Sequence, residues 1–241
     1  MNGRSGSPTP SFEPKVFGIG LSKTGTTTLG TCFEILGLVP CARPQAIHDA
    51  LVGSGPNAGT LDSWAEAANL SCPNPDGIAG KARFGSWPHR ALVAEVLAYR
   101  NYDLVIELAR HFRSFEDRPW NIAPLYRLLD EAFPGSRFIL TSRDANNWWR
   151  SVEQWLTRTH PQDEGKRWRY FRQLDVDRIE RNAFIAAYHR YNTEIRQHFS
   201  GRPDFLEIDF EQGGGWSELC RFLELPLPNR PFPHENRQFY A

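Results

Sequence analysis

The segment Lys15-Val-Phe-Gly-Ile-Gly-Leu-Ser-Lys-Thr-Gly-Thr-Thr-Thr-Leu29 joins an apolar strand to a helix through a loop suited to gripping an anion. Val16, Phe17 and Ile19 read as a short buried strand, and Gly20 and Gly25 permit tight backbone turns. Leu29, Cys32, Phe33 and Leu36 then follow the i, i+3, i+4, i+7 spacing of an amphipathic helix that Gly37 stops. The first N–H groups of such a helix have no partner within it and point outward. An anion placed there gains hydrogen bonds and a favourable dipole, so phosphate or sulfate chemistry is the first hypothesis.

The loop differs from a standard nucleotide triphosphate P-loop, in which a lysine directly follows a second glycine and precedes the Ser/Thr that opens the helix. Here Lys23 comes before Gly25, and Thr26 and Thr27 stand where Lys-Ser/Thr would be. That displacement argues against a Walker-type magnesium site. Lys23-Thr-Gly-Thr-Thr-Thr28 resembles the 5′-phosphosulfate loop of sulfotransferases that use 3′-phosphoadenosine 5′-phosphosulfate (PAPS). The resemblance implies that Ser22, Lys23, Thr24, Gly25, Thr26, Thr27 and Thr28 bind the donor.

A second segment, Arg137-Phe-Ile-Leu-Thr-Ser-Arg-Asp144, is a buried strand ending in charge, and Trp148, Trp149, Val152, Trp155 and Leu156 trace one face of the helix after it. Arg143 therefore lies at the carboxyl end of a strand, the edge where ligands bind in open α/β sheets. Ser151, two helical turns further, can face the same space. A guanidinium is a fixed fork of donors suited to phosphate, and a serine hydroxyl adds another. The Arg-x7-Ser spacing is similar to the sulfotransferase motif that holds the 3′-phosphate of PAPS.

With 241 residues and a formal charge of zero, from 28 basic and 28 acidic side chains, the chain suits a single α/β domain and offers no charge for nucleic acid. Basic residues outnumber acidic ones between Arg158 and Arg202, as on a solvated helical face. Cys32, Cys41, Cys72 and Cys220 have neither paired nor zinc-type spacing and are expected to be reduced. No metal is expected. Nor is a membrane span, because no stretch approaches the roughly 18 apolar residues required. Residues 1–14 are polar and rich in Pro and Ser, the composition of a loose tail. A cytoplasmic protein is expected, similar to soluble and bacterial-type sulfotransferases and unlike the membrane-anchored Golgi members.

The remaining pattern alternates helix and strand. Residues 41–90 form a loop-rich insertion with one helix expected near Leu61 to Leu70, a candidate acceptor pocket or lid. A helix is expected over Ala91 to Phe112, a strand over Arg113 to Asp117, and a helical stripe through Leu125, Leu128, Leu129, Ala132 and Phe133. Phe184 to Phe199 mark a long helix, Asp204 to Asp209 a strand, and Trp216 to Leu223 a final helix. The predicted fold is a P-loop-type three-layer α/β/α domain over residues 15–241, with a mainly parallel sheet.

The resemblance to sulfotransferases extends through Phe115-Glu-Asp-Arg-Pro-Trp120 and Pro231-Phe-Pro-His-Glu-Asn236. It implies in-line transfer of a sulfuryl group from PAPS to a hydroxyl, less readily an amine, of a small-molecule, lipid or carbohydrate acceptor, with PAP as product. Lys23 is implied to stabilise the departing phosphate. Asp117 is the first candidate for the general base, with Glu116, His111, His89 and His48 as further candidates. Thr28 stands where many cytosolic members have an adenine-packing tryptophan, leaving Trp148 or Trp149 as candidates for that role. The Lys-Gly loop of those members is missing, and Asn236 with Arg237 is its candidate substitute. Two other classes remain open: a PAPS/PAP-binding protein without turnover, and a P-loop nucleotide kinase.

Overall fold

The computed structural model describes residues 14–39, 41–43, 93, 96, 97, 100, 102–159, 162 and 164–235. Five strands run through them: β1 (Val16–Gly18), β2 (Cys41–Ala42), β3 (Ser114–Phe115), β4 (Arg137–Thr141) and β5 (Phe205–Ile208). Every pairing is parallel, in the spatial order β2-β3-β1-β4-β5. Seven α-helices accompany them among the described residues: α1 (Thr26–Ile35), α2 (Tyr102–Ala109), α3 (Leu125–Ala132), α4 (Ala145–Gln154), α5 (Glu164–Leu174), α6 (Arg181–His198) and α7 (Trp216–Leu223). This is the α/β fold expected from the alternating pattern.

The period-2 alternation of a strand sends successive side chains to opposite faces, and here each face owns a separate core. Phe17, Phe115, Phe138 and Leu140 enter one cluster with residues of α2, α3, α4 and α6, such as Leu108, Leu125, Trp148 and Phe184. Val16, Cys41, Ile139 and Ile208 enter the other, with Leu29 and Phe33 of α1 and Leu219 and Leu223 of α7. A sheet buried on both faces needs near-continuous apolar strands, which explains the run Phe138-Ile-Leu140. At the centre, Phe17 is in register with Phe115 and Phe138 and stacks on both, at centroid distances of 4.4 and 5.3 Å. Replacing Phe17 by Ala would open a cavity costing about 3–5 kcal/mol.

The boundaries differ from the sequence reading in ways that matter for the site. The expected strand Arg113 to Asp117 shrinks to Ser114–Phe115, because Asp117 adopts a left-handed conformation (φ 60°) and turns the chain. Helix α4 continues into a π-helical turn at Trp155–Thr159, and α5 and β2 carry no signal strong enough to have been read from sequence. Cys32, Cys41 and Cys220 are free and buried. Burial pushes the thiols of Cys32 and Cys41 up to about 12, so neither supplies thiolate near neutral pH. Residues 1–13, most of 41–90 with the helix expected near Leu61 to Leu70, most of 91–101, Cys72, His48, His89, Asn236 and Arg237 lie outside the described residues. Among the described residues, no helix is long and apolar enough to cross a membrane.

β1 lies beside β4, and the crossover from β1 runs to β2 on one side while that from β4 runs to β5 on the other. Loops at the carboxyl ends of β1 and β4 consequently diverge. A crevice opens between them at the position where open α/β sheets bind ligands.

Candidate active site

The loop from Gly20 to Gly25 leaves β1 and turns sharply over the sheet edge. Gly20 must lack a side chain, because a Cβ there would lie 2.0 Å from Thr141 Oγ1 on β4. The Thr24 hydroxyl donates to the Leu21 carbonyl at 2.6 Å and meets Thr141 Oγ1 at 2.6 Å, so it ties the loop down. Lys23 and Gly25 both take positive φ, 77° and 102°. Gly25 is the N-cap of α1 and provides no side-chain hydrogen bond, and the first turn holds no acidic residue. The start of α1 is thus left open to an external anion, with the hydroxyls of Thr26 and Thr27 beside it. Thr28 Oγ1 accepts from the Glu235 backbone N–H at 3.2 Å, which docks the carboxyl-terminal segment against α1.

Across the crevice, β4 delivers Arg143 and α4 delivers Ser151. The Tyr188 hydroxyl accepts from Arg143 N at 3.0 Å and donates to Arg143 O at 2.8 Å, fixing the arginine backbone from α6. Arg143 Nη1 donates to the Lys23 carbonyl at 3.0 Å, and Nη2 pairs with Glu211 from the turn after β5. Arg143 Nε and Ser151 Oγ are both buried with no hydrogen-bond partner. Buried polar atoms are nearly always satisfied, so this pair beside the crevice leaves two donors able to meet the acceptors of a ligand.

One pocket of about 850 Å³ contains all of these groups: Ser22, Lys23, Thr24, Gly25, Thr26, Thr27 and Thr28 on the loop side, with Asp117, Arg143 and Ser151. The donor-loop residues Ser22 to Thr28, the first-choice base Asp117, and the Arg143/Ser151 pair named from the sequence therefore all line it. Lys23 Nζ lies 5.3 Å from the ring centroid of Trp155, a cation–π contact that orients the ammonium. The Asp117 carboxylate accepts from the Ser22 hydroxyl and from Asn121 Nδ2, the latter at 3.3 Å. Its left-handed backbone swings the side chain toward the loop, which links the carboxyl ends of β3 and β1.

The two other candidate bases among the described residues, Glu116 and His111, fall elsewhere. Glu116 is 3% exposed and packs against α1, where a Cβ on Gly30 would meet its Cγ at 2.9 Å. Burial, then the adjacent Asp117 charge, pushes its carboxyl well above the usual range, opposed by Arg43 at 3.5 Å. His111 precedes β3 and lies at the amino end of the sheet, opposite the crevice; burial lowers its pKa. The expectation that Trp148 or Trp149 packs on adenine is corrected. Trp148 is fully buried, donates Nε1–H to the Ser22 carbonyl at 3.1 Å and stacks on Tyr188 at 4.6 Å, while Trp149 packs on Phe184. Both belong to the core that holds α4 to α6.

Several pocket residues escaped the sequence reading: Arg118, Asn147, Trp155, Phe210, Glu211 and Glu235. For Trp155 a signal existed, since it follows Ser151 by four residues and shares its helical face. For Phe210 and Glu211 none did, because only the pairing of β5 with β4 brings their turn over Arg143. No group of three or more His, Cys, Asp or Glu side chains among the described residues is arranged to hold a metal.

No curated protein matches the chain significantly. A family model described as a sulfotransferase domain matches residues 15–239, nearly the entire chain. With a five-stranded parallel sheet whose switch point carries an open helix start, this protein belongs to the sulfotransferase domain family.

Proposed function

We propose that this protein transfers a sulfuryl group from PAPS to the hydroxyl of a small-molecule, lipid or carbohydrate acceptor. The observation that carries the reading is the convergence on one pocket of an uncapped helix start and, opposite it, Arg143 with the orphaned Ser151 hydroxyl. A ligand with one anionic group fills one of these cradles; adenosine 3′,5′-bisphosphate has a phosphate for each. A triphosphate chain alone leaves Arg143 and Ser151 without a role, which argues against a nucleotide kinase.

In this reading the N–H groups and hydroxyls of Thr26, Thr27 and Thr28 hold the 5′-phosphate, and Arg143 with Ser151 holds the 3′-phosphate. The acceptor oxygen attacks sulfur in line, the bond from sulfur to the phosphate oxygen breaks, and PAP departs. Charge grows on that bridging oxygen, where the Lys23 ammonium, steadied over Trp155, offsets it. Asp117 receives the acceptor proton. Its hydrogen bond from Ser22 couples it to the loop that carries Lys23, keeping base and cation at one end of the pocket.

Calorimetric titration with PAP and with ATP tests the donor, and product formation from labelled PAPS over a panel of phenols, sugars and lipids tests the transfer. Tight PAP binding with weak ATP binding, and labelled product from at least one acceptor class, is expected. PAP binding without release of PAP from PAPS on any acceptor would make this a donor-binding protein instead.

A further inference from the structure

Three features of the Arg143 guanidinium stand together. Nη1 is committed to the Lys23 carbonyl, Nη2 to Glu211, and Nε to nothing. An oxyanion is gripped best by two parallel N–H bonds from one edge of the guanidinium, and Nε with Nη2 forms the edge that remains once Nη1 is engaged. Glu211 occupies half of that edge. Its other oxygen accepts from Asn147 Nδ2 at 3.3 Å, so the carboxylate is held by two side chains of the β4–α4 segment. The backbone beneath it is set independently: Glu211 N–H donates to Asp209 Oδ1 at 2.8 Å, and Gly214 N–H to Asp209 O at 3.0 Å. The Glu211 side chain is 41% exposed, against 18% for Arg143, so it can rotate into solvent without disturbing the turn.

We propose that Glu211 is an affinity-setting residue, an internal carboxylate that competes with the 3′-phosphate of the donor and of the product for the Nε/Nη2 edge of Arg143. This inference rests on the donor reading given above and adds a residue to it. A 3′-phosphate must displace Glu211 to take both nitrogens, and a carboxylate left beside it would repel it. The apparent affinity for any 3′-phosphorylated nucleotide is lowered by the strength of the ion pair that is broken. A nucleotide with no 3′-phosphate leaves the pair intact and feels no such penalty. In turnover, Glu211 returns to Arg143 as PAP leaves and so favours product release over retention.

The test is calorimetric titration of the full chain with adenosine 3′,5′-bisphosphate and with adenosine 5′-monophosphate, in wild type, Glu211→Gln, Glu211→Ala and Arg143→Ala. Both Glu211 variants should bind the bisphosphate about tenfold more tightly and the monophosphate unchanged, and stopped-flow release of the bisphosphate should slow by about the same factor. Glutamine keeps the shape of the side chain and its contact with Asn147, while alanine removes both, so a gain common to the two reports the charge alone. Unchanged or weaker bisphosphate binding in both variants, or an equal gain for the monophosphate, overturns the competition. Equal bisphosphate affinity in wild type and Arg143→Ala would instead overturn the donor reading, and the inference with it.

Discussion

Helix α4 opens with Asp144, whose carboxylate accepts from the N–H groups of Asn146 at 3.0 Å and Asn147 at 2.9 Å, whereas α1 opens with Gly25, which has no side chain to offer. The two helices follow adjacent parallel strands and begin at the same edge of the sheet. At α4 a side-chain cap takes orphan donors of the first turn; at α1 no side-chain cap does. Two arginines repeat the contrast. Arg202 donates to both oxygens of Asp130 and both oxygens of Asp204, while Arg143 keeps Nε without a partner. Groups such as Arg202 and Asp144 are closed internally and hold the fold, whereas Arg143 Nε and the α1 start are left open in the pocket, where the proposed function places the donor.

That division can be broken with four variants. The largest effect belongs to the pocket: Lys23→Ala should lower turnover by about 10²–10³-fold, with bisphosphate affinity changed far less, measured as kcat beside a titration. Loss of affinity with kcat preserved would move Lys23 from chemistry to binding. Next, Arg143→Ala should weaken bisphosphate binding by about 10–100-fold, the worth of charge-assisted hydrogen bonds, and leave the melting temperature nearly unchanged.

In the closed set, Arg202→Ala should lower stability by about 1.5 kcal/mol, a figure discounted because the side chain is one-third exposed, with no change in nucleotide affinity. The same cluster sets a pH dependence. Hydrogen bonds from Arg202, opposed by burial, hold the Asp204 carboxyl below its ordinary 3.8. A carboxyl depressed in the folded state adds stability above its unfolded pKa and loses it as pH falls through the folded one. The urea midpoint should therefore drop below about pH 4, less steeply in Arg202→Ala. The smallest effect is expected at the α4 cap, where Asp144→Ala should cost about 1 kcal/mol in urea unfolding and leave bisphosphate binding intact. A marked loss of nucleotide affinity in that variant would erase the distinction between the two helix starts.

Much of the site was legible because its two halves are local. Lys15 to Gly37 and Arg137 to Leu156 each contain a buried strand, a turn and an amphipathic helix within a few dozen residues, and the residue types at the turns are those from which an anion site is expected. Asp117 was legible as a residue but not as a geometry, because its approach to Ser22 depends on a left-handed turn after a strand only two residues long. Helical periodicity put Trp148 and Trp149 on one face without saying whether that face meets a ligand or α6. The contact with Tyr188, forty residues later, decided it for the core.

The amino-acid order by itself determined the strand–loop–helix units, the apolar alternation that buries the sheet on both faces, and which residues stand at each turn. These are short-range properties, set by side-chain period and backbone freedom. Only the tertiary structure decided which strands are neighbours, and with that the meeting of Glu211 with Arg143 across 68 residues and the closure of two separate turns around one cavity. Contacts at that separation depend on how the layers pack, for which no local pattern in the chain holds a record.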